Sequence, residues 1–247
     1  MEAFFSKGGL AMKIYCMSDI HGCLAEFEDA LALVLEHLNE RSTMLVLLGD
    51  YIHGGPENRG VLDRIMRLQQ RYGSNKVVAL LGNHDEAVID GTEFIDYTTK
   101  AFSLRDDYDY EDDNNDDDRY IQWLEALPRY FVAGNTIFVH AGIDEETGDM
   151  WELGTSDEIF TSKYPVETGK IQGLEMKVVA GHIGTADISG DPRFHDIYFD
   201  GESHYFIDGT VLDSGVIPVM MVDTDTDEYY QVTEAGKWLI APYGEDD

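Results

Sequence analysis

Three continuous apolar runs, Ile14 to Met17, Met44 to Leu48 and Val77 to Leu81, punctuate the first ninety residues. Runs of this length, apolar on both faces, read as fully buried strands. Between them the apolar positions change period. Leu24, Phe27, Leu31, Val34, Leu35 and Leu38 recur at helical spacing, which predicts a helix reaching to near Asn39. Pro56 and Asn58 open a second helix carrying Val61, Leu62, Ile65 and Leu68, closed by Tyr72-Gly73. The order β-α-β-α-β predicts a parallel sheet with right-handed crossovers. Residues 86–128 break the pattern until Ile121, Trp123, Leu124 and Leu127 mark a short helix stopped by Pro128. Tyr130 to Ala133 and Thr136 to Val139 read as a hairpin across Gly134-Asn135. Residues 144–176 are mixed, with short helices expected around Met150 and Asp157 to Phe160. Val178 to Ala180 is a further strand. The remainder, with strands at His195 to Phe199, Ser203 to Ile207, Val216 to Val222 and Glu228 to Val232, reads as antiparallel. No internal repeat is evident.

The polar residues that end these strands carry the chemistry. They are Ser18-Asp19-Ile20-His21-Gly22, Gly49-Asp50, Gly82-Asn83-His84-Asp85, His140-Ala141-Gly142 and Gly181-His182. Each alone has a plain reading: Gly181-His182 as a turn, Gly82 to Asp85 as a capped strand-to-helix turn. Together, at strand ends where parallel sheets collect ligands, five such segments point to metal binding. Carboxylate, imidazole and amide donors without thiolate, from Asp19, His21, Asp50, Asn83, His140 and His182, suit Mn²⁺, Fe²⁺ or Zn²⁺. A carboxylate in the middle of the set can bridge two ions. Two ions roughly 3.5–4 Å apart can polarise a phosphate and lower the pKa of a water between them, giving a hydroxide that attacks phosphorus in line. His84, beside a candidate ligand, could protonate the leaving oxygen.

Composition narrows the class. The 247 residues suit one large domain, or one domain with a cap, and 43% hydrophobic content is ordinary for a globular protein. No apolar run approaches the roughly 18–20 residues of a membrane span. Met1 to Leu10 holds no signal-type apolar core. Cys16 and Cys23 flank the opening motif without forming a Cys-x-x-Cys pair, so reduced thiols in a cytoplasmic enzyme are expected. The net charge of −32 favours divalent cations and repels nucleic acid and acidic membranes. Residues 1–11 read as a dispensable extension ahead of Met12-Lys13-Ile14-Tyr15, leaving 12–247 as the domain. Asp106 to Asp118, with nine acids in thirteen residues, reads as a solvated loop or a cap over the site, within an insertion at about 91–120.

The motif set resembles the calcineurin-like metallophosphoesterase superfamily, in particular its bacterial and phage phosphoprotein phosphatase branch and the related symmetrical diadenosine tetraphosphatases. The resemblance runs from Met12 to about Val222. It rests on Asp-Ile-His-Gly, Gly-Asp-Tyr, Pro-Glu-Asn before a helix, Gly-Asn-His-Asp, Val-His-Ala-Gly-Ile, Gly-His-Ile and Ile207-Asp208-Gly209. It implies a four-layer αββα sandwich of two mixed sheets with outer helices. It also implies one metal on Asp19, His21 and Asp50 and a second on Asp50, Asn83, His140 and His182, with His84 as general acid.

Two departures bear on substrate. The family usually reads Gly-Asp-x-x-Asp-Arg-Gly, where this chain has Gly49-Asp50-Tyr51-Ile52-His53-Gly54-Gly55. The carboxylate that supports the catalytic histidine is thus His53, and a phosphate-gripping arginine is Gly54. A second arginine, expected near Trp151-Glu152-Leu153-Gly154, is not evident. Losing bidentate guanidinium groups weakens phosphate binding. Arg59, Lys163 and Arg193 are candidate replacements, and His53 is a candidate catalytic residue expected to lower the pKa of His84. A protein serine/threonine phosphatase-like hydrolase, with two ions of which Mn²⁺ is the first expectation, is the leading reading. It would act on phosphoprotein or small phosphoesters. A diadenosine tetraphosphate or nucleotide pyrophosphohydrolase, and a weakly active metal-dependent regulatory module, are the alternatives.

Overall fold

A computed structural model describes residues 4–5, 11–95 and 114–244, with side chains for 11–95 and 117–244. The expected acidic cap lies largely outside the described residues. Along the chain the strands are β1 (Phe4–Phe5), β2 (Lys13–Met17), β3 (Thr43–Leu47), β4 (Val77–Ala79), β5 (Tyr130–Ala133), β6 (Thr136–Val139), β7 (Lys177–Gly184), β8 (Tyr198–Phe199), β9 (His204–Asp208), β10 (Val219–Asp223), β11 (Glu228–Thr233) and β12 (Gly236–Leu239). One sheet has the order β12-β11-β10-β2-β3-β4 and the other β1-β5-β6-β7-β9-β8.

The uninterrupted apolar runs have a simple cause. In β3, Met44 and Val46, followed by Leu48, face the second sheet, while Leu45 and Leu47 face the outer helices. Both faces of the strand are buried, so alternation vanishes from the sequence. The layer between the sheets holds Ile14, Cys16, Val46, Val78, Phe131, Phe138, Val179 and Ile207. Outside the first sheet pack α1 (Leu24–Ala32) and α2 (Asn58–Tyr72), through Phe27, Leu31, Val61, Leu62, Ile65 and Leu68. Outside the second, Trp151, Phe160 and Ile171 cover Ile137, Val139, Val178 and Phe206. The result is the four-layer αββα sandwich of two mixed sheets. Cys16 and Cys23 are buried free thiols.

Several expectations are corrected. The first helix ends at Ala32, not near Asn39. Beyond it, Leu33, Val34 and His37 donate to carbonyls three residues back, so a tighter winding keeps Val34 and Leu38 inward. Residues from 86 are not featureless, because α3 (Asn83–Ile89) starts directly at the Gly-Asn-His-Asp segment. The later helix, α4, begins at Asn114 rather than Ile121 and runs to Glu125. The final third is not wholly antiparallel. β9 pairs parallel with β7, while β8–β9, β10–β11 and β11–β12 pair antiparallel, as does β10 with β2. The strand expected at 195–199 shrinks to Tyr198–Phe199, and β12 was not anticipated, since Gly236 to Leu239 is wholly exposed. Phe4–Phe5 pairs in parallel with Val132–Ala133 at a sheet edge.

A buried charge cluster braces the outer side of the second sheet. His204, 3% exposed, is paired by Nδ1 to Asp200 at 2.8 Å and by Nε2 to Glu145 at 3.4 Å. Burial disfavours the imidazolium, but the two carboxylates outweigh it and raise the His204 pKa, while Asp200 and Glu145 are held low by their hydrogen-bonded partners despite burial. A raised histidine pKa gives stability that is full below about 6.5 and lost as pH rises through the folded value. His204→Gln is therefore expected to cost roughly 1–3 kcal/mol near pH 6. The difference in Tm from the parent should narrow as pH rises towards 9, as thermal melts across that range would show.

Candidate metal centre

The site is built where both sheets end. Asp19, His21 and Gly22 follow β2, Asp50 follows β3, Asn83 and His84 start α3 beyond β4, His140 follows β6, and His182 lies in β7 where its register against β9 shifts. Several residues around the site adopt a backbone that L-residues rarely take. Asp19, His21, Asp50, His53 and His182 have φ of 53, 48, 54, 89 and 66°. Left-handed non-glycine backbone costs about 1–3 kcal/mol per residue and concentrates at functional sites. The compensation is a web of fixed bonds. Asp19 N donates to Gly49 O at 3.1 Å and His21 N to Asp50 O at 2.9 Å, so the first two loops are locked together.

Two groups of donors share one carboxylate. Ligand-capable atoms of Asp19, His21 and Asp50 all lie within 4.8 Å of one another, as do those of Asp50, His140 and His182. Asn83 closes the second group, its Oδ1 lying 3.0 Å from His140 Nε2 and 2.9 Å from His182 Nδ1. Asp50 Oδ2 is 3.9 Å from His21 Nε2 and 3.4 Å from His140 Nε2. The far ring nitrogens are committed elsewhere. His140 Nδ1 donates to Leu48 O at 3.0 Å, and His21 Nδ1 to the carbonyls of Ile52 and His53 at 3.2 and 3.1 Å. Fixing Nδ1 in this way turns each Nε2 towards the shared carboxylate, as in metal-binding histidines generally.

The electrostatics fit cations. Asp19 and Asp50 are 2% exposed. Burial, with the charge of Asp50 adding and His140 opposing, pushes Asp19 up to about 6. Burial also raises Asp50, but His140, His21 and His84 outweigh it and hold Asp50 well below the usual range. The carboxylates of Asp50 and Asp19 overcome burial to raise His140 to about 9, whereas burial and His140 lower His182 to about 4. Buried carboxylates this close are mutually unfavourable, and divalent ions are the natural neutralising partner. Six oxygen and nitrogen donors in two groups with a common member fit two such ions.

Two further carboxylates complete the surroundings. Asp85, fully buried, accepts from Asp50 N at 2.8 Å, Tyr51 N at 3.1 Å and Gly82 N at 3.1 Å, and so holds the bridging loop in place. Burial and the nearby Asp50 push it to about 7. Asp208 accepts from Thr210 N at 2.7 Å, and burial with the charge of Asp19 raises it to about 8. Both residues lie within the sequence motifs, whose spacing assigns neither a role. Close approach also dictates Gly181, where a Cβ would stand 2.0 Å from Ser18 Oγ and 2.1 Å from Asp19 Oδ2.

The structure gathers the six candidate ligands, His84 and His53 into one place, and sets the candidate arginine substitutes in ion pairs. Arg59 lies 2.6 Å from Asp117, Arg193 pairs with Asp191 at 3.2 Å, and Lys163 lays its stem across Gly142 while its ammonium meets Glu145 and Ile143 O. Gly54 abuts half-exposed Leu212. His53 stacks on His84, with ring centroids 3.8 Å apart and planes 20° apart, and burial and that neighbour lower its own pKa despite Glu93. Glu93, which accepts from Nδ1 of both His84 and His53, was missed. No spacing rule reaches a glutamate nine residues past a ligand motif.

The sequence profile described as calcineurin-like phosphoesterase matches residues 12–216. The chain belongs to this family. Among curated relatives, the symmetrical bis(5'-nucleosyl)-tetraphosphatase of Nitrosospira multiformis is 30% identical over 132 residues, covering 53% of this chain and 44% of its own length. That of Delftia acidovorans is 32% identical over 153 residues, covering 60% and 50%. The chain thus spans about half the length of the curated relatives it matches. Two solved structures share this phosphoesterase fold. The cold-active protein-tyrosine phosphatase of a psychrophilic Shewanella has a TM-score of 0.63 at 14% identity, over 93% of this chain and 80% of its own. A second, described provisionally as a diadenosine tetraphosphatase, has a TM-score of 0.57 at 20% identity, over 95% and 96%. Among the described residues no helix is long and apolar enough to cross a membrane.

Calorimetric titration of chelator-treated protein is expected to show two Mn²⁺ equivalents. A hundredfold excess over Kd should stabilise the fold by about 2.7 kcal/mol for each bound ion. Asp50→Asn should weaken both equivalents, because both donor groups include it. Gly181→Ala should displace Asp19 and reduce the Mn²⁺-induced rise in Tm, and an unchanged rise would contradict the close-approach argument.

Proposed function

We propose that this chain is a two-metal phosphoesterase acting on a small nucleotide, with a dinucleoside tetraphosphate as the first substrate to test. The observation that carries the reaction class is the pair of donor groups sharing Asp50. The activity for which the curated relatives are named supports the substrate class, and moves a nucleotide ahead of the phosphoprotein that the motif resemblance put first. Cations held by Asp19, His21, Asp50, Asn83, His140 and His182, Mn²⁺ being the first choice for such donors, would neutralise phosphate charge and lower the pKa of a water.

The chain's own groups then divide the work. Asp50 keeps the two donor sets in register, and Asn83 holds the His140 and His182 rings converged. The water oxygen forms the new P–O bond as the bond to the leaving oxygen breaks. His84, protonated, gives its Nε2 proton to that leaving oxygen, and its backbone N–H, bonded to Asp50 Oδ1 at 3.0 Å, ties the proton donor to the shared carboxylate. Cleavage of the central anhydride of a dinucleoside tetraphosphate yields two nucleoside diphosphates.

Mn²⁺-reconstituted protein is expected to turn over diadenosine tetraphosphate to ADP faster than it hydrolyses p-nitrophenyl phosphate or a phosphopeptide. The reverse ranking would return the protein-phosphatase reading to first place. No turnover on any of the three would favour a binding or regulatory module. His84→Asn is expected to lower kcat by roughly 10²–10⁴-fold while leaving Mn²⁺ binding intact.

A further inference from the structure

We infer that Glu93 is the positioning residue of His84, replacing from a different segment the carboxylate that the loop after β3 lacks at His53. The inference rests on the assignment of His84 as proton donor. The carboxylate sits in the turn that returns from α3. Thr92 N and Glu93 N both donate to Ala87 O, at 2.9 and 3.0 Å, which folds residues 90–93 back along the helix that begins at Asn83-His84. From there Glu93 Oε1 accepts from His84 Nδ1 at 3.0 Å, and Glu93 Oε2 accepts from His53 Nδ1 at 2.9 Å.

These separations are those of ordinary N–H···O bonds. An ionised carboxylate only accepts, so Nδ1 of both rings must carry hydrogen. His84 is thereby held with Nε2 as its remaining nitrogen, its ring edge-on to that of the candidate ligand His21 at 5.4 Å between centroids. His53 acts as the second wall. Stacked on His84 and tied to the same carboxylate, it prevents the ring from swinging out. All three side chains are only about a quarter exposed, at 25, 25 and 22%, so water competes weakly for these bonds. The two oxygens of one carboxylate serve two histidines at once. A neutral amide lacks the negative charge that strengthens both bonds.

The test uses the Mn²⁺-loaded enzyme for kinetics and the Zn²⁺-loaded form for imidazole ¹⁵N–¹H spectra. Glu93→Gln is expected to lower kcat by roughly 10–100-fold, with KM and Mn²⁺ affinity within about twofold of the parent. In the spectra the Nδ1–H resonance of His84 should be present in the parent and lost or exchange-broadened in Glu93→Gln. Adding His53→Asp to Glu93→Gln is expected to recover much of kcat, because a carboxylate then reaches His84 from the other side. If Glu93→Gln keeps the parental kcat and Nδ1–H resonance while His84→Asn is inactive, the role of Glu93 is overturned and that of His84 stands. If His84→Asn is itself fully active, the proton-donor reading fails first. Parallel loss of Mn²⁺ binding and Tm in Glu93→Gln would mark Glu93 as structural. A third metal equivalent that disappears with Glu93→Gln would mean that His53, His84 and Glu93 hold a cation instead.

Discussion

Four carboxylates, Asp19, Asp50, Asp85 and Asp208, are buried at the ends of neighbouring strands, and three of them are pushed upward by burial and by one another. Left alone, such a cluster opposes folding. What holds it is backbone. Three N–H groups converge on Asp85, His182 N donates to Asp19 at 2.9 Å, and Thr210 N donates to Asp208. The loop after β3 thus supplies donors to Asp85, and His182 in β7 supplies one to Asp19, so these segments cannot relax independently, while Asp208 is held by a bond within its own loop. The left-handed residues persist for the same reason, since their strain is overdetermined by bonds from outside their own loops.

The two-sheet sandwich serves this constraint. β2, β3 and β4 bring Asp19, Asp50 and Asn83 to one edge. β6, β7 and β9, parallel to each other, bring His140, His182 and Asp208 to meet them. The apolar layer between the sheets fixes the distance across which Asn83 meets His140 and His182. A small slip of one sheet over the other would break contacts that require about 3 Å, so core packing and the candidate chemistry are coupled.

Much of this is legible along the chain, for physical reasons that differ by element. Buried parallel strands such as Thr43–Leu47 announce themselves as unbroken apolar runs, and polar residues directly after them have few purposes other than a site. Asp19, His21, Asp50, Asn83, His140 and His182 were therefore visible as a set. The parallel pairing of β9 was not, because alternation records which face is buried and carries no record of strand direction. β12 was invisible for the opposite reason, since an exposed edge strand has no pattern to show. Asp85 lies within a motif whose spacing carries no role for it, because two of its partners are the backbone N–H groups of Asp50 and Tyr51 in another loop, and Asp208 shows only a local bond from Thr210 N.

Glu93 marks the limit of reading by motif. A histidine needs a carboxylate near its Nδ1, not one at a fixed sequence distance, and any segment that passes within reach can provide it. With His53 in the loop, the second ring occupies the space and the carboxylate comes from the turn after α3, bound to both. The neighbouring departure at Gly54 leaves that position without a charged side chain, and there the backbone turns at φ +85° against Leu212. The candidate metal donors and the positions that depart from the family pattern are thus separable layers. The first is pinned by buried carboxylates whose partners lie in several loops. The second lies at positions 53 and 54, whose departures from the family pattern leave the contacts among the candidate donors in place.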